Sequence, residues 1–307
     1  MGRKSLQEQT MKNSFLFAAV MLQGDNCRDV LSCVLGIEIE RVEVSAEKSI
    51  VYHPEYHGVR LDVFAKGADG AHFNVEMQVV QQRLQHRSRY YHAQMDMEML
   101  TSGTRYEDLP DTYVIFICDY DPIGLSKYRY TVKSVLEEEI EYSYIDGQHT
   151  IFLNTKGTNE SEVPKQLVNF LHFMGASLQE SRKEYDDELV RKLQQTVENI
   201  KRDREMEGRY MLLEELMDEE FNKGRAEGEA RGRAEGEARG RAEGEARGRV
   251  EGKADSIIKL LAKYGDIPEE VQSKIVTITD INKLDELFDA LLNVNSEEEA
   301  KEFIRNL

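Results

Sequence analysis

The sequence predicts a mixed α/β core followed by helical extensions, and two stretches carry the prediction. Residues 59–80, VRLDVFAKGADGAHFNVEMQVV, form two alternating runs around a glycine-rich turn, the pattern of an amphipathic hairpin. Residues 112–118, TYVIFIC, are a continuous apolar run, the signature of a strand buried on both faces. Segments with apolar residues at three- and four-residue spacing precede, separate and follow these strands, so helices should pack around a sheet.

Phe15, Ala18, Ala19 and Leu22 mark a first helical face. Val30, Leu31, Val34 and Leu35 mark a second, after the Gly24-Asp25-Asn26 break. Residues 37–50 are β-rich and lead to a turn at His53-Pro54-Glu55. After the hairpin, residues 82–101 read as a helix closed by Gly103. The apolar strand ends in Asp119-Tyr120-Asp121-Pro122, whose aspartates read as turn formers. Residues 150–153 are a short strand, and residues 163–176 an amphipathic helix with Leu167, Phe170, Leu171 and Met174 on one side. Residues 178–221 lack Pro and carry a narrow stripe of Leu189, Leu193, Val197 and Ile200. They read as a long exposed helix that packs on the core or on a partner.

Residues 224–255 repeat GRAEGEAR three times and then read GRVEGKAD, with Gly at every fourth position. On a helix each charge meets its opposite four residues on, as in Arg225–Glu229 and Glu227–Arg231, for about 0.2–0.5 kcal/mol per pair. Each Gly costs about 1 kcal/mol relative to Ala, so the segment alone should be a marginal helix. It reads as a charge-balanced spacer, or as a ridge of glycines that lets another helix approach and favours self-association. A helical module follows. Ile257, Leu260, Leu261 and Tyr264 form one face, Gly265-Asp266-Ile267-Pro268 break it, and residues 271–276, 284–292 and 300–304 supply more. Asp280 and Ser296 are expected N-caps. The expected divisions are a core at 1–177, a charged extension at 178–223, the repeat at 224–255 and the C-terminal module at 256–307.

A net charge of −18 argues against polyanion binding by the whole surface, while leaving room for a local basic groove. Cys27, Cys33 and Cys118 form no CxxC pair, which fits a reducing compartment. No run approaches about 18 apolar residues and none resembles a signal, so a cytoplasmic protein without a membrane span is expected. His53 and His57 flank Glu55, but Pro54 disfavours the helix that a zinc HExxH site needs. There is no Walker loop, no nucleotide-binding GxGxxG and no Ser or Cys nucleophile motif.

The hairpin carries the candidate chemistry. Val59, Leu61, Val63, Phe73, Val75, Met77 and Val79 are apolar; Arg60, Asp62, Asn74, Glu76 and Gln78 alternate with them, Phe64 being the exception. Closing the loop across Gly67 to Ala71 sets Asp62 opposite Glu76 and Arg60 opposite Gln78. Directly paired Cβ atoms sit about 4.5–5.5 Å apart. Two carboxylates that close repel unless a cation lies between them, and hard oxygen ligands favour Mg²⁺, Mn²⁺ or Ca²⁺. A half-buried sheet with a solvated polar face is the alternative at this point. In the next helix Arg83, Arg87 and Tyr91 stand at four-residue spacing, so one face presents two cations and a phenol able to contact phosphates; a solvated helix with its tyrosines packed on the sheet is the alternative.

Residues 49–78, SIVYHPEYHGVRLDVFAKGADGAHFNVEMQ, resemble the bacterial Rpn-type recombination-promoting nucleases, also labelled transposases of the PD-(D/E)XK class. The likeness continues through Arg89-Tyr90-Tyr91, Tyr113-Val114-Ile115-Phe116-Ile117 and Phe152-Leu153-Asn154-Thr155-Lys156-Gly157, and spans about residues 12–221. It implies a restriction-endonuclease-like mixed sheet and a Mg²⁺-dependent DNA endonuclease linked to recombination or mobile elements. Asp62 matches the Asp of the signature, Glu76 the (D/E) and Gln78 the Lys. The resemblance implies metal ligation by Asp62, Glu76 and the backbone carbonyl of Met77, with Arg60, Arg83, Arg87 and Tyr91 as DNA-contacting candidates. Gln at this position is common in the family; it can orient water and hydrogen-bond a phosphate but cannot titrate. Relatives often carry an acidic residue where this chain has Asn13. The other function class the sequence allows is a non-catalytic regulator on a nuclease-like scaffold, self-associating through its helical C-terminal region.

Overall fold

In a computed structural model of the chain, the structure describes residues 4–50, 59–100, 102–103, 105–294, 296, 298–299 and 302, without the side chains of 46–50 and 59–61. The chain divides into two units, Met1–Glu215 and Leu216–Leu307.

The first unit is built on a six-stranded mixed sheet. Two helices, α1 (Ser14–Met21) and α2 (Gly24–Leu35), precede an antiparallel meander of β1 (Val42–Ile50), β2 (Val59–Gly67) and β3 (His72–Gln78). Helix α3 (Gln85–Met99) crosses over to β4 (Thr112–Cys118). Short strands β5 (Arg129–Val132), β6 (Ser134–Val135) and β7 (Ser143–Tyr144) then lead to β8 (Gln148–Asn154). The sheet order is β1-β2-β3-β4-β8-β5, with β3, β4 and β8 parallel, while β6 and β7 pair apart from it. Exposed β5, β6 and β7 were not anticipated; two to four residues at an edge carry no alternation to read.

The hairpin has the register the sequence predicts. Val63 pairs Val75, Phe64 pairs Asn74 and Lys66 pairs His72, and the Gly67 N–H donates to the Ala71 carbonyl at 2.8 Å across the turn. Gly70 takes φ +90° there, a conformation open to glycine. What the hairpin lacks is a solvated face. Its odd residues enter the main core with α1, α2, α4 (Lys165–Met174) and α5 (Glu188–Arg202). Its even side is covered by α3, where Phe64, Leu84, Tyr91, Met95, Val114, Phe116 and Phe152 form a second apolar cluster. Every residue of β3 from Phe73 to Gln78 is buried. As predicted, β4 is buried on both faces.

Residues 178–221 form no single helix. Helix α5 starts where the Asp187 side chain accepts the Val190 N–H, and it buries Leu189, Val190, Leu193 and Ile200 on the core. Asp203 is extended and its carboxylate accepts the Glu205 N–H at 2.8 Å, so it ends α5 and caps α6 (Arg204–Leu261). Asn13 caps α1 through the Leu16 N–H at 3.1 Å.

Helix α6 runs through the glycine repeat, where Arg225–Glu229, Arg239–Glu243 and Arg247–Glu251 pair at 3.9, 2.7 and 3.4 Å. A Cβ on any glycine from Gly224 to Gly252 would meet nothing within 4 Å, so the second unit does not use the ridge for its own packing. Its core joins Ala254, Ile257 and Leu261 of α6 to Val271 and Ile275 of α7 (Glu269–Thr277) and Leu284 and Leu291 of α8 (Ile281–Leu292). Asp280 caps α8, and the Ser296 hydroxyl accepts the Glu299 N–H. The turn at His53-Pro54-Glu55, with His57, lies outside the described residues, as does most of the predicted helix at 300–304.

Candidate active site

Strand β3 aims Asn74, Glu76 and Gln78 at one face by its period of two, and α3 lies across that face. Glu76 is 0% exposed. Its Oε1 accepts from Asn74 Nδ2 at 3.2 Å. Its Oε2 accepts from Arg87 Nη2 at 2.6 Å, Gln78 Nε2 at 3.2 Å and the Tyr91 hydroxyl at 3.4 Å. Arg87 also donates through Nη1 to Gln78 Oε1 at 3.1 Å and through Nε to the Tyr91 oxygen. Its guanidinium lies 5.1 Å from the centre of the Tyr91 ring and 5.9 Å from that of Phe116. Arg87 and Tyr91, one helical turn apart, thus act together on a carboxylate held by the strand.

Asp62 is half-buried and stands one residue beyond the last bridged pair of the hairpin, Val63 with Val75, in the register that sets it opposite Glu76. Burial and the charge of Asp62 push the Glu76 carboxyl up to about 7, against the opposing pull of Arg87, Asn74 and Tyr91. Burial and the same carboxylate push the Tyr91 phenol up. Burial works against the Arg87 charge, but Glu76, Tyr91 and Asp62 together outweigh it and the guanidinium is held more firmly protonated. The pair is a buried charged contact rather than a surface bridge, because only Arg87, with its side chain 31% exposed, reaches solvent.

The structure brings together Asp62, Glu76, Gln78, Arg87 and Tyr91 of the residues singled out in the sequence. Met77 turns its side chain into the opposite core. The expected row of Arg83, Arg87 and Tyr91 on one exposed helix face is not formed. Helix α3 begins at Gln85, so exposed Arg83 precedes it, and buried Leu84 pins the start of the helix so that Arg87 and Tyr91 face the sheet. The Arg60 side chain lies outside the described residues. Asn74 was passed over in the sequence, although its place two residues before Glu76 put it on the same face. Of the two aspartates after β4, Asp121 accepts the N–H groups of Ile123, Gly124 and Ser126 and is the turn former expected. Asp119 instead pairs with Lys12 at 2.8 Å and Lys156 at 3.6 Å.

Residues 23–223 match the model of the PD-(D/E)XK nuclease family transposases. The chain belongs to that family. Its mixed sheet flanked by helices is consistent with the restriction-endonuclease-like fold of PD-(D/E)XK proteins. No curated protein and no solved structure matched the chain. Among the described residues no cluster of three or more His, Cys, Asp or Glu is placed to hold a metal, and no helix is long and apolar enough to cross a membrane. Membership of a PD-(D/E)XK family nevertheless points to a divalent cation, and the donor set fits one. Two carboxylates and the Gln78 amide oxygen are hard ligands. The Arg87 guanidinium already places positive charge against Glu76 Oε2 and Gln78 Oε1. Asn74 Oδ1, fully buried beside them, has no hydrogen-bond partner, so the site retains an oxygen acceptor to spare.

Proposed function

We propose that the chain is a metal-dependent DNA endonuclease that hydrolyses phosphodiester bonds, serving DNA recombination or mobile elements. Asp62, Glu76 and the Met77 carbonyl would hold Mg²⁺, with Mn²⁺ or Ca²⁺ as substitutes. The observation that carries this reading is the wholly buried Glu76 carboxylate, lifted to about 7 beside a second carboxylate. Such a group burdens the fold, and strongly perturbed carboxyls cluster at functional sites. When bound, the cation supplies Lewis acidity to the scissile phosphate and the attacking water.

The chain's own residues do the rest. Gln78 orients water or phosphate through its amide and takes no proton. The fixed positive charge that a Lys would provide at that position comes from α3, where Arg87 touches both Glu76 and Gln78. Tyr91 holds Arg87 and Glu76 in place and stays protonated. A titration of plasmid DNA with Mg²⁺ tests the reading. Nicking or cutting should rise with metal in the wild type and vanish in Asp62→Ala and Glu76→Ala while both remain folded by circular dichroism. Equal cleavage by those variants would sink it.

A second reading, self-association through the C-terminal region, is favoured by the apolar side chains that α6 leaves in solvent. Met211, Met217 and Phe221 are all more than half exposed, and the repeat that follows carries self-complementary Arg and Glu. Light scattering should give a mass above that of the 35.4 kDa monomer, falling when residues 224–255 are deleted. A monomer in both cases would refute it.

A further inference from the structure

Strands β3, β4 and β8 are parallel, so their carboxyl ends share one edge of the sheet. There the Asp119 N–H donates to the Gln78 carbonyl at 2.9 Å and the Thr155 N–H to the Cys118 carbonyl at 3.0 Å. Ligands of open α/β sheets bind outside such strand ends. This edge is basic. Asp119 is clasped by Lys12 and Lys156, and Thr155 donates to its second oxygen at 3.1 Å, so one carboxylate faces two ammonium groups. Thr155 and Lys156 line a cavity of about 380 Å³. Lys183 and Glu184 belong both to this cavity and to a neighbouring one of about 650 Å³, bounded by Thr10 and Met11 on one side and α5 on the other.

The larger cavity is lined by Arg182, Lys183, Arg191, Lys201 and Arg202, a concentration of cations on a chain of net charge −18. Its acidic residues are fewer: Glu198 is paired with Arg202 at 3.1 Å, Glu184 stands where the two cavities meet, and Glu180, on the smaller cavity, accepts the Ser177 N–H at 2.9 Å. Lys201 is spent, donating to the carbonyls of Gln7 and Gln9 and so holding the N-terminal segment against α5. Arg182, Lys183 and Arg191 are exposed and make no ion pair among the described residues.

We infer that Lys12, Lys156, Lys183, Arg182 and Arg191 form a track for the phosphate backbone of a nucleic acid, leading from the α5 cavity to the end of β3 beside Gln78. Two adjoining cavities that share a lysine suit an extended polyanion better than a single small anion. The track ends at the carboxyl edge of β3, where the Asp119 N–H meets the Gln78 carbonyl at 2.9 Å, and Glu76 stands two residues earlier in that strand. The inference rests on the nuclease reading for the identity of its ligand, and its test does not depend on cleavage.

The test is fluorescence anisotropy with a labelled 30-base-pair duplex in EDTA across a series of salt concentrations. It compares the full chain, the triple variant Arg182→Ala/Lys183→Ala/Arg191→Ala, and a control with the same charge change in the repeat, Arg233→Ala/Arg241→Ala/Arg249→Ala. Each phosphate contact contributes about 0.9 to the slope of log affinity against log salt. The track variant should bind about tenfold or more weakly at moderate salt, with a slope shallower by about 2–3, while the control stays close to wild type. Identical behaviour of track variant and control would overturn the inference, as would a wild type that binds no duplex. A wild type that cleaves normally beside an unaffected track variant removes the track alone. A wild type that binds through the track but leaves the duplex uncut with every divalent metal removes the nuclease reading alone.

Discussion

Replacing Glu76 by Gln should abolish cleavage and yet strengthen the metal-free protein. Glu76 has no exposed surface, and its pKa stands at about 7 against an ordinary 4.5. A carboxyl raised on folding leaves stability intact below about pH 4.5 and removes it as pH climbs through about 7, because the unfolded chain loses the proton first. Over that range the loss is about 3 kcal/mol, at about 1.4 kcal/mol per pH unit. Gln is isosteric, does not titrate and still offers an oxygen to Arg87, though the bond loses its charge assistance, worth about 1 kcal/mol. The variant should therefore be about 2 kcal/mol more stable than wild type at pH 8 in EDTA. Its stability should also vary less between pH 5 and pH 8. Urea unfolding followed by circular dichroism reads both quantities. Mg²⁺ at a hundred times its Kd should return about 2.7 kcal/mol to the wild type and little to the variant. A variant no more stable than wild type at pH 8, with the same pH slope, would refute the assignment of Glu76 as a strained, buried carboxylate.

Arg87→Met should raise the Glu76 pKa further, so its destabilisation, measured by the same unfolding, should be larger at pH 9 than at pH 6. His92 is buried between the Thr112 and Thr150 hydroxyls at 2.7 and 2.9 Å, and burial pushes its pKa down to about 4 from 6.5. The unfolded chain takes up this proton first as pH falls, so the wild type should lose about 2 kcal/mol from this group between pH 7 and pH 5; His92→Gln should remove that part of the acid sensitivity in a urea series. A Cβ at Gly157 would lie 2.6 Å from the Tyr128 nitrogen and 2.7 Å from its Cα, so Gly157→Ala should cost about 1–3 kcal/mol, seen as a lower urea midpoint.

The core elements were legible because each carries its own period. The hairpin register followed from alternation and a turn of fixed length, and the structure pairs Val63 with Val75 accordingly. The apolar run of β4 needed no partner to be read as doubly buried. What alternation could not tell is whether a polar face is wet. Asn74 and Gln78 both donate to Glu76, and Arg87 donates to Glu76 and Gln78, so a face with three polar residues lies under a helix at little exposed area. Composition alone made the region after residue 178 one helix, whereas the break at Asp203 rests on a single cap. The Lys12–Asp119 pair joins residues far apart in sequence, and no local signal announces it.

The position of the site's cation follows from two periods and one constraint. The four-residue spacing of Arg87 and Tyr91 is visible in the sequence, and so is the two-residue spacing of Asn74, Glu76 and Gln78. Neither says which face of α3 meets β3. That is fixed by residues 79–84, which must carry the chain out of a parallel strand and into the crossover helix, and by Leu84, which is 1% exposed and anchors the turn. With Leu84 in the apolar cluster, residues three and seven positions later fall near the same side of the helix, and these are Arg87 and Tyr91. An outward-facing Arg87 would leave Glu76 buried without a cation, an arrangement that typically costs about 3–5 kcal/mol. The charge of the carboxylate and the burial of one leucine therefore select the same orientation, and that agreement places Arg87 against Glu76 and Gln78.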